Sequence, residues 1–293
     1  MPRYKSPDND AEREILEARE SGLVELDLYR RGLLRWPSAL ESFSALESLN
    51  LGANRLLTIP DGAFEGLTSL RELHLSFNTG LERLPASLFR LPNLRSLWLR
   101  EVPLGVVPSE IIQLRGLREL SLCDTELTEL PEELASLTNL EFLDISDNKV
   151  RRFPRWVWSL PKLANLQTSS NHFSDGIAMG EMGMCGESGL VELCVCDNSL
   201  ESLPEWLGSL GRLGDFCAGA NRIKAIPDGL RRCERLTSIF LEGNQIETVP
   251  EWIGQLPGLE RVNLGNNPIG QIHPSLERLR RSGSVSYTHL RAH

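Results

Sequence analysis

The sequence predicts an α/β solenoid, a curved stack of similar coils with a parallel β-sheet on the concave side and irregular, 3-10 or short helical segments on the convex side. Three observations support this fold class. The spacing L-x-x-L-x-L returns eleven times between Leu23 and Leu259, seven of the ten intervals are 23 residues, and asparagine stands at the ninth position of eight copies. Such a period indicates coils that stack, because one coil cannot bury its own apolar side.

The first six positions of each copy predict a short β-strand. In the sixth copy, Leu143 and Ile145 alternate with polar residues, as in a strand with one buried face. Stacking would place the strands side by side in a parallel sheet. The copies begin at Leu23, Leu46, Leu70, Leu94, Leu117, Leu140, Leu163, Leu190, Leu213, Leu236 and Leu259.

The asparagine at position nine predicts the turn after each strand. This turn leaves backbone amides and carbonyls that no strand partner reaches, and a carboxamide can both donate and accept. The exceptions are Arg31, Val102 and Thr125, of which valine can do neither. The asparagines are Asn54, Asn78, Asn148, Asn171, Asn198, Asn221, Asn244 and Asn267.

The second half of most copies contains an apolar residue followed by proline. Proline ends strand pairing and directs the chain toward the outer wall. The seventh copy, 27 residues long, lacks this step and has a methionine-rich segment from Gly176 to Gly189. We interpret the segment as a tolerated insertion, with a segment that moulds to a partner as the alternative. Clear examples of the proline step are Leu130-Pro131, Leu203-Pro204 and Val249-Pro250.

The complete pattern, L-x-x-L-x-L-x-x-N-x-L-x-x-L-P-x-x-L-x-x-L, resembles the leucine-rich repeat family. The 23-residue length and the L-P step are similar to its intracellular Ras-pathway-scaffold branch. The resemblance extends from Leu23 to about Leu279. It implies a horseshoe with the strands inside and a protein partner bound by the concave face.

The two ends depart from the repeat. Residues 1–22 are predicted as a cap, with an amphipathic helix from Asn9 to Gly22, and residues 23–281 as the repeats. Residues 282–293 are predicted as a disordered tail, because 285–293 resemble a translated sequencing adapter and natural sequence would then stop near Ser284. Four apolar residues of the helix are expected to cover the first coil: Ala11, Ile15, Leu16 and Ala18.

Composition favours a cytoplasmic protein, which we expect to be a monomer. No apolar run approaches 18 residues, and the first ten residues lack the apolar part of a secretory signal. The six cysteines do not form the paired caps of extracellular repeats that resemble this one, which favours reduced thiols. We expect no membrane association and no cofactor.

Charge is concentrated at repeat positions 3, 5, 7 and 8, which should point into the concave face. Those positions hold twelve acidic and three basic residues, whereas the rest of the chain has 28 of each, so they account for the whole net charge of −9. A field of one sign attracts a basic protein partner and repels nucleic acid. The alternative is that acidic strand positions serve only solubility.

The candidate partner-binding residues lie on four neighbouring copies. His74 and Trp98 occupy position five of adjacent copies and are predicted to be lateral neighbours. A tryptophan near an arginine is typical of a binding hot spot, although isolated strand aromatics are often incidental, which is how we interpret Tyr29, Phe142 and Phe240. The candidates are His74, Phe77, Trp98, Arg100, Glu119, Asp124, Asp144 and Asp147.

Three cysteines are expected on the same face of two neighbouring strands, with Cys194 beside Cys217 and Cys196 close by. Such thiols could bind a soft metal or respond to oxidation. The sequence has no C-x-x-C and no supporting histidine there, so no metal is predicted. Redox activity stays open.

Catalytic motifs are missing from the sequence. It has no phosphate-binding glycine-rich loop with lysine, no G-x-S-x-G and no H-E-x-x-H. The sequence therefore predicts a non-catalytic protein-interaction module, an intracellular signalling scaffold or regulator that binds a basic protein. The alternative is the sensing fragment of a larger truncated enzyme, such as a leucine-rich-repeat kinase or a Roco-type GTPase. A receptor ectodomain is a third, weaker interpretation.

Overall fold

The computed structural model describes residues 7–174, 188–270, 274–276 and 285–286. The chain divides into two compact units, Met1–Asn148 and Lys149–His293. Each unit is a stack of repeats with parallel strands on one side and 3-10 helices on the other, so the predicted α/β solenoid fold class is confirmed. Among the described residues, no helix combines the length and the apolar character that crossing a bilayer requires.

The first unit begins with helix α1, Pro7–Glu20, followed by six strands that pair in parallel in chain order. The strands are β1 Glu25–Asp27, β2 Ser48–Asn50, β3 Glu72–His74, β4 Ser96–Trp98, β5 Glu119–Ser121 and β6 Phe142–Asp144. The 3-10 helices are η1 Ser38–Ser42, η2 Leu88–Arg90, η3 Ser109–Gln113 and η4 Glu132–Ser136.

The second unit repeats this alternation, and its strands also pair in parallel in chain order. The strands are β7 Asn165–Gln167, β8 Glu192–Cys194, β9 Asp215–Cys217, β10 Ser238–Phe240, β11 Arg261–Asn263 and β12 Val285–Ser286. The 3-10 helices are η5 Arg155–Ser159, η6 Glu205–Ser209, η7 Asp228–Arg232, η8 Glu251–Gln255 and η9 Pro274–Leu276.

Two predicted segments fall largely outside the described residues. Of the methionine-rich segment from Gly176 to Gly189, only residues 188 and 189 are described. Of the predicted disordered tail, residues 282–293, only Val285 and Ser286 are described, and they pair with Val262 and Asn263 of β11.

The repeat positions decide what is buried and where each 3-10 helix begins. Leucines at positions four and six, such as Leu73 and Leu75, are fully buried, whereas on the same strand Glu72 is exposed and His74 is half-buried. Proline suits the first turn of a helix because its φ is already fixed and it has no N–H to satisfy. It stands directly before seven of the described 3-10 helices, as Pro37, Pro108, Pro131, Pro154, Pro204, Pro227 and Pro250.

The position-nine asparagines connect neighbouring coils. The backbone N–H of Leu56 donates to Oδ1 of Asn78 (3.2 Å), and Nδ2 of Asn78 donates to the carbonyls of Leu51 (3.0 Å) and Leu75 (2.7 Å). Asn78 thus serves backbone groups of its own coil and the preceding one. At one exception, the Thr125 hydroxyl donates to the carbonyl of Leu122 (2.7 Å) and partly replaces the carboxamide.

The cap explains a second exception. The first coil has no preceding coil for an asparagine to serve, and its Arg31 instead donates to Glu14 of α1 (2.7 Å). Glu12 of α1 accepts from the backbone N–H groups of Ser38 (2.6 Å) and Ala39 (2.8 Å) at the start of η1.

The apolar face of α1 is narrower than the sequence predicts. Ala11, Ile15 and Ala18 are buried as expected, but Leu16 is 40% exposed, so its assignment to the covering face is wrong. In a helix Leu16 lies about 100° from Ile15, and the 3.6-residue period turns it away from the coil.

Position eight of every copy has a left-handed backbone, with φ between 50° and 66°. The repeat pattern does not predict this conformation, although Asp, Asn and Gly at several of these positions are residues that tolerate such φ values. The residues are Arg30, Ala53, Phe77, Glu101, Asp124, Asp147, Ser170, Asp197, Ala220, Gly243 and Asn266.

Candidate functional site

We define the strand face of the first unit as repeat positions 3, 5, 7 and 8 of its six copies. The central residue of each strand is buried, and its two neighbours point to the opposite side, as strand geometry requires. All eight candidate residues, His74 to Asp147, belong to this face. Their side chains are exposed or half-buried.

Three rings form a continuous row across the strand face, which we call the aromatic row: His74, Trp98 and Phe142. His74 and Trp98 are register partners on β3 and β4, and their rings stack with centroids 5.7 Å apart and planes 4° apart. The predicted lateral pairing of these two residues is confirmed. The indole also contacts the Phe142 ring at a centroid distance of 5.4 Å.

Phe142 belongs to the aromatic row, although the sequence alone suggests an isolated aromatic residue. It lies on β6, two strands away from Trp98 on β4. At the usual strand spacing, the axes of these two strands are about 9.6 Å apart. The strand between them offers Ser121, which is the register partner of Trp98 and is 2% exposed. Because serine is small, the indole reaches across β5 to Phe142. A small residue between two aromatics was the available signal.

Arg100 and Phe77 lie at one end of the strand face. The Arg100 guanidinium carbon is 5.9 Å from the centroid of the Phe77 ring, a cation–π geometry. Its Nε lies 3.8 Å from Glu101, so the cation has an aromatic and an acidic neighbour. Phe77 is 37% exposed at its left-handed position, which leaves part of the ring available to a partner.

Carboxylates beside the aromatic row are oriented by small residues on the neighbouring strand. Ser96 donates to Glu119 (2.8 Å), and Ser121 donates to Asp144 (3.3 Å). Each pair consists of register partners on adjacent strands. One hydrogen bond leaves further lone pairs on each carboxylate for a ligand.

Asp147 has a different partner, the thiol of Cys123. The Cys123 Sγ donates to Asp147 (3.3 Å), and this cysteine is 1% exposed. Burial and the negative charge of Asp144 raise the pKa of the Cys123 thiol far above its ordinary value. The thiol therefore stays protonated and keeps its role as a hydrogen-bond donor.

A shallow depression of about 200 Å³ is lined by three acidic residues, and we call it the acidic depression. Glu101, Asp124 and Glu126 each line it from a left-handed backbone position, with φ of 56°, 53° and 64°. Three carboxylates around a concave surface suit the ammonium of a lysine or the guanidinium of an arginine. Of these three carboxylates, only Asp124 is a binding residue predicted from the sequence. The remaining lining residues are Thr79 and Pro103.

The half-buried imidazole of His74 is predominantly neutral at neutral pH. Burial lowers its pKa from the ordinary value of 6.5, and the negative charges of Glu72, Glu119 and Asp27 oppose that effect without reversing it. A neutral ring packs against Trp98 as part of the aromatic row and adds no positive charge to the acidic face.

A separate cluster of thiols lies on β8 and β9 and in the turn after β8, within the second unit. Cys194 and Cys217 are register partners, as the sequence predicts, and the Cys194 and Cys196 sulfurs are 3.6 Å apart. The three sulfurs lie within 4.8 Å of one another. The neighbouring Cys196 and Cys217 thiols lower the pKa of Cys194, and the interaction with Cys194 raises the pKa of Cys196 to about 12.

Comparisons with protein families identify the repeats. A model of leucine-rich repeats matches residues 44–101 and 115–173, and a model of two leucine-rich repeat copies matches residues 234–278. Together these ranges cover more than half of the chain. No curated protein sequence matches the chain.

Solved structures are similar over nearly the whole chain. A leucine-rich repeat protein of Leptospira interrogans is 25% identical with a TM-score of 0.78, and the alignment covers 94% of this chain and 80% of that one. The ectodomain of the membrane receptor kinase GASSHO1/SCHENGEN3 of Arabidopsis thaliana, solved with CASPARIAN STRIP INTEGRITY FACTOR 2, is 29% identical with a TM-score of 0.75, covering 92% of this chain and 32% of that one. An internalin of Listeria monocytogenes, 22% identical with a TM-score of 0.69 and covering 97% and 96%, shares the fold.

Proposed function

Because the chain belongs to the leucine-rich repeat proteins, we propose that it is a non-catalytic interaction module that binds a basic protein or peptide on the strand face of the first unit. The single observation that carries this proposal is the aromatic row of His74, Trp98 and Phe142, bordered by hydrogen-bonded carboxylates. Leucine-rich repeat proteins generally act by binding other proteins, but the fold does not select the partner.

The aromatic row supplies the affinity in this proposal. Rings that already contact one another lose little conformational freedom on binding, so more of the contact energy appears as affinity. Trp98 lies in the middle of the row with a ring on each side, the kind of central, partly enclosed position at which hot spots occur.

The carboxylates supply the selectivity. The strand face of the first unit holds eight acidic residues and two basic ones, Arg30 and Arg100. Such a field speeds encounter with a basic partner and disfavours acidic partners, including nucleic acids. A lysine or arginine of the partner would enter the acidic depression. The acidic residues are Glu25, Asp27, Glu72, Glu101, Glu119, Asp124, Asp144 and Asp147.

We further propose that the protein acts in the cytoplasm as a monomeric signalling scaffold or regulator without membrane association. Two features support this placement. The 23-residue repeat with its L-P step resembles the intracellular Ras-pathway-scaffold branch. The cysteines of the described residues are free thiols, which suits a reducing compartment: Cys123, Cys194, Cys196, Cys217 and Cys233.

The alternative is the sensing part of a larger enzyme, such as a leucine-rich-repeat kinase or a Roco-type GTPase. It is favoured by one observation, the similarity to the ectodomain of a plant receptor kinase, of which this chain spans 32%. The complete transcript of the gene separates the two proposals. A kinase or P-loop motif in the continuing reading frame would support the alternative.

The proposed interface is tested by capture with the full chain, followed by binding measurements with the recovered partner. We expect a partner with a basic contact surface that wild-type protein binds and Trp98→Ala does not retain. Leu57→Ala is the matched control, because Leu57 is 62% exposed but lies outside the strand face. Equal retention by wild-type protein and Trp98→Ala, or loss with Leu57→Ala instead, would contradict the proposal.

A further inference from the structure

We propose that Cys194, Cys196 and Cys217 form a binding site for one Cu(I) ion on the strand face of the second unit. The three thiols face the same side of two neighbouring strands and the turn that follows. The site does not depend on the interface proposed for the first unit, and its test has an independent outcome.

The spacing of the sulfur atoms fits a three-coordinate metal. If each metal–sulfur bond is about 2.3 Å, three sulfurs in a trigonal arrangement lie about 4.0 Å apart. The Cys194 and Cys196 sulfurs are 3.6 Å apart, and the three sulfurs lie within 4.8 Å of one another.

The geometry favours a metal over a disulfide. The Cys194 and Cys217 side chains project in parallel from adjacent strands, with Cβ atoms about 4.8 Å apart, beyond the usual disulfide range. Three sulfurs around one point suit a shared ligand.

The number and type of donors favour Cu(I) over zinc. Within the described residues, the group contains three cysteines and no fourth histidine, cysteine, aspartate or glutamate ligand at the same range. Structural zinc sites are closed by four protein ligands, whereas thiolates also select Cu(I), a soft monovalent ion that accepts three donors.

Contacts of the Cys194 side chain hold its sulfur beside the other donors. The Cys194 thiol donates to the Cys196 sulfur (3.6 Å), and the Cys194 sulfur lies 3.0 Å from the Ser169 hydroxyl. Cu(I) would be held by the sulfurs of Cys194, Cys196 and Cys217 together. The ion keeps its oxidation state, and each thiol that becomes a ligand releases one proton.

The test is an anaerobic titration of the reduced, metal-free full chain with Cu(I) in competition with a chromophoric Cu(I) chelator. We expect one Cu(I) per chain and a loss of affinity of about 100-fold or more in Cys194→Ser, Cys196→Ser and Cys217→Ser, because each removes a ligand. Cys233→Ala and Cys123→Ala are controls at buried thiols outside the cluster. Cys185→Ser tests the sixth cysteine of the chain, and all three controls should bind as wild type.

X-ray absorption on the wild-type complex provides a measurement that does not depend on variants. We expect three sulfur neighbours at about 2.3 Å from copper. The proposal is overturned if the chain retains no copper against the chelator, if Cys217→Ser binds as tightly as wild type, or if the absorption spectrum shows fewer than three sulfurs. Preferential retention of Zn²⁺ in a parallel titration would also overturn it.

Discussion

The imidazole ring of His74 lies parallel to the indole ring of Trp98, with the planes 4° apart and the centroids separated by 5.7 Å. Two parallel strands in register bring the rings together, because both residues occupy position five of their copies. Their contact restricts both side chains before any partner arrives. This pre-organisation is the physical basis for treating Trp98 as the anchor of the interface.

Replacing the anchor should weaken binding without unfolding the protein. For Trp98→Ala we expect a loss of about 2 kcal/mol or more in binding free energy, measured by calorimetry with the captured partner. Trp98 is half-buried on the strand face and not in the leucine core, so circular dichroism should show an intact fold. A loss below about 0.5 kcal/mol, similar to that of Leu57→Ala, would remove Trp98 from the interface.

Binding should weaken as salt is added, because the strand face attracts its partner through charge. Between about 0.05 M and about 0.5 M salt we expect affinity to fall about tenfold or more. The double variant Asp124→Asn with Glu126→Gln removes two charges from the acidic depression and should flatten this dependence. Surface plasmon resonance at several salt concentrations provides the slopes. Identical slopes for variant and wild type would exclude the depression from steering.

His74 should make stability depend on pH in a defined window. Its pKa in the folded protein is lower than 6.5, so below about pH 6.5 the unfolded chain binds a proton that the folded chain does not. The folded state is therefore destabilised as pH falls from about 6.5 toward the folded pKa, and the effect is absent above this window.

The variant His74→Gln isolates this contribution. Denaturant midpoints at about pH 7.5 and about pH 5.5 should differ less in His74→Gln than in wild type. His172→Gln, at an exposed histidine of the second unit, serves as the control for the loss of one histidine. If His74→Gln keeps the wild-type pH dependence, the imidazole is not the source of the effect.

The asparagine between coils should matter far more than an exposed asparagine. Asn78→Ala leaves the buried amide of Leu56 and the buried carbonyl of Leu75 without their side-chain partner. We expect a loss of about 2–4 kcal/mol in the free energy of unfolding, measured by urea denaturation.

Asn93→Ala provides the matched control for that measurement. Asn93 is exposed and donates a single hydrogen bond, 2.9 Å long, to the carbonyl of Thr68. Its loss should cost about 1 kcal/mol or less, because water replaces the partner. Equal effects of the two substitutions would show that position nine has no special structural role.

Much of the strand face could be predicted from residue spacing. The repeat period identifies the residues at position five as lateral neighbours, which holds for His74 and Trp98 as well as for Cys194 and Cys217. These predictions succeed because a parallel sheet in which each strand comes from one copy admits only one register that keeps the leucines buried.

Contacts beyond the adjacent strand were not predictable in the same way. Trp98 contacts Phe142 two strands away because Ser121 leaves room for the indole, a result of side-chain volume and rotamer. The acidic depression was not predicted, because it depends on the left-handed backbone of Glu101 and Glu126. A positive φ is uncommon for residues other than glycine, so a glutamate in the sequence does not indicate it.

The sequence by itself determined the coil, the buried leucine positions, the asparagine turns and the face on which each polar residue lies, because these follow from a local period. Only the tertiary structure decided which of those residues touch, as with the Cys123 thiol bonded to Asp147 and the three sulfurs within 4.8 Å of one another. Such contacts depend on side-chain direction and on distances of a few ångströms between strands, and periodicity carries information about neither.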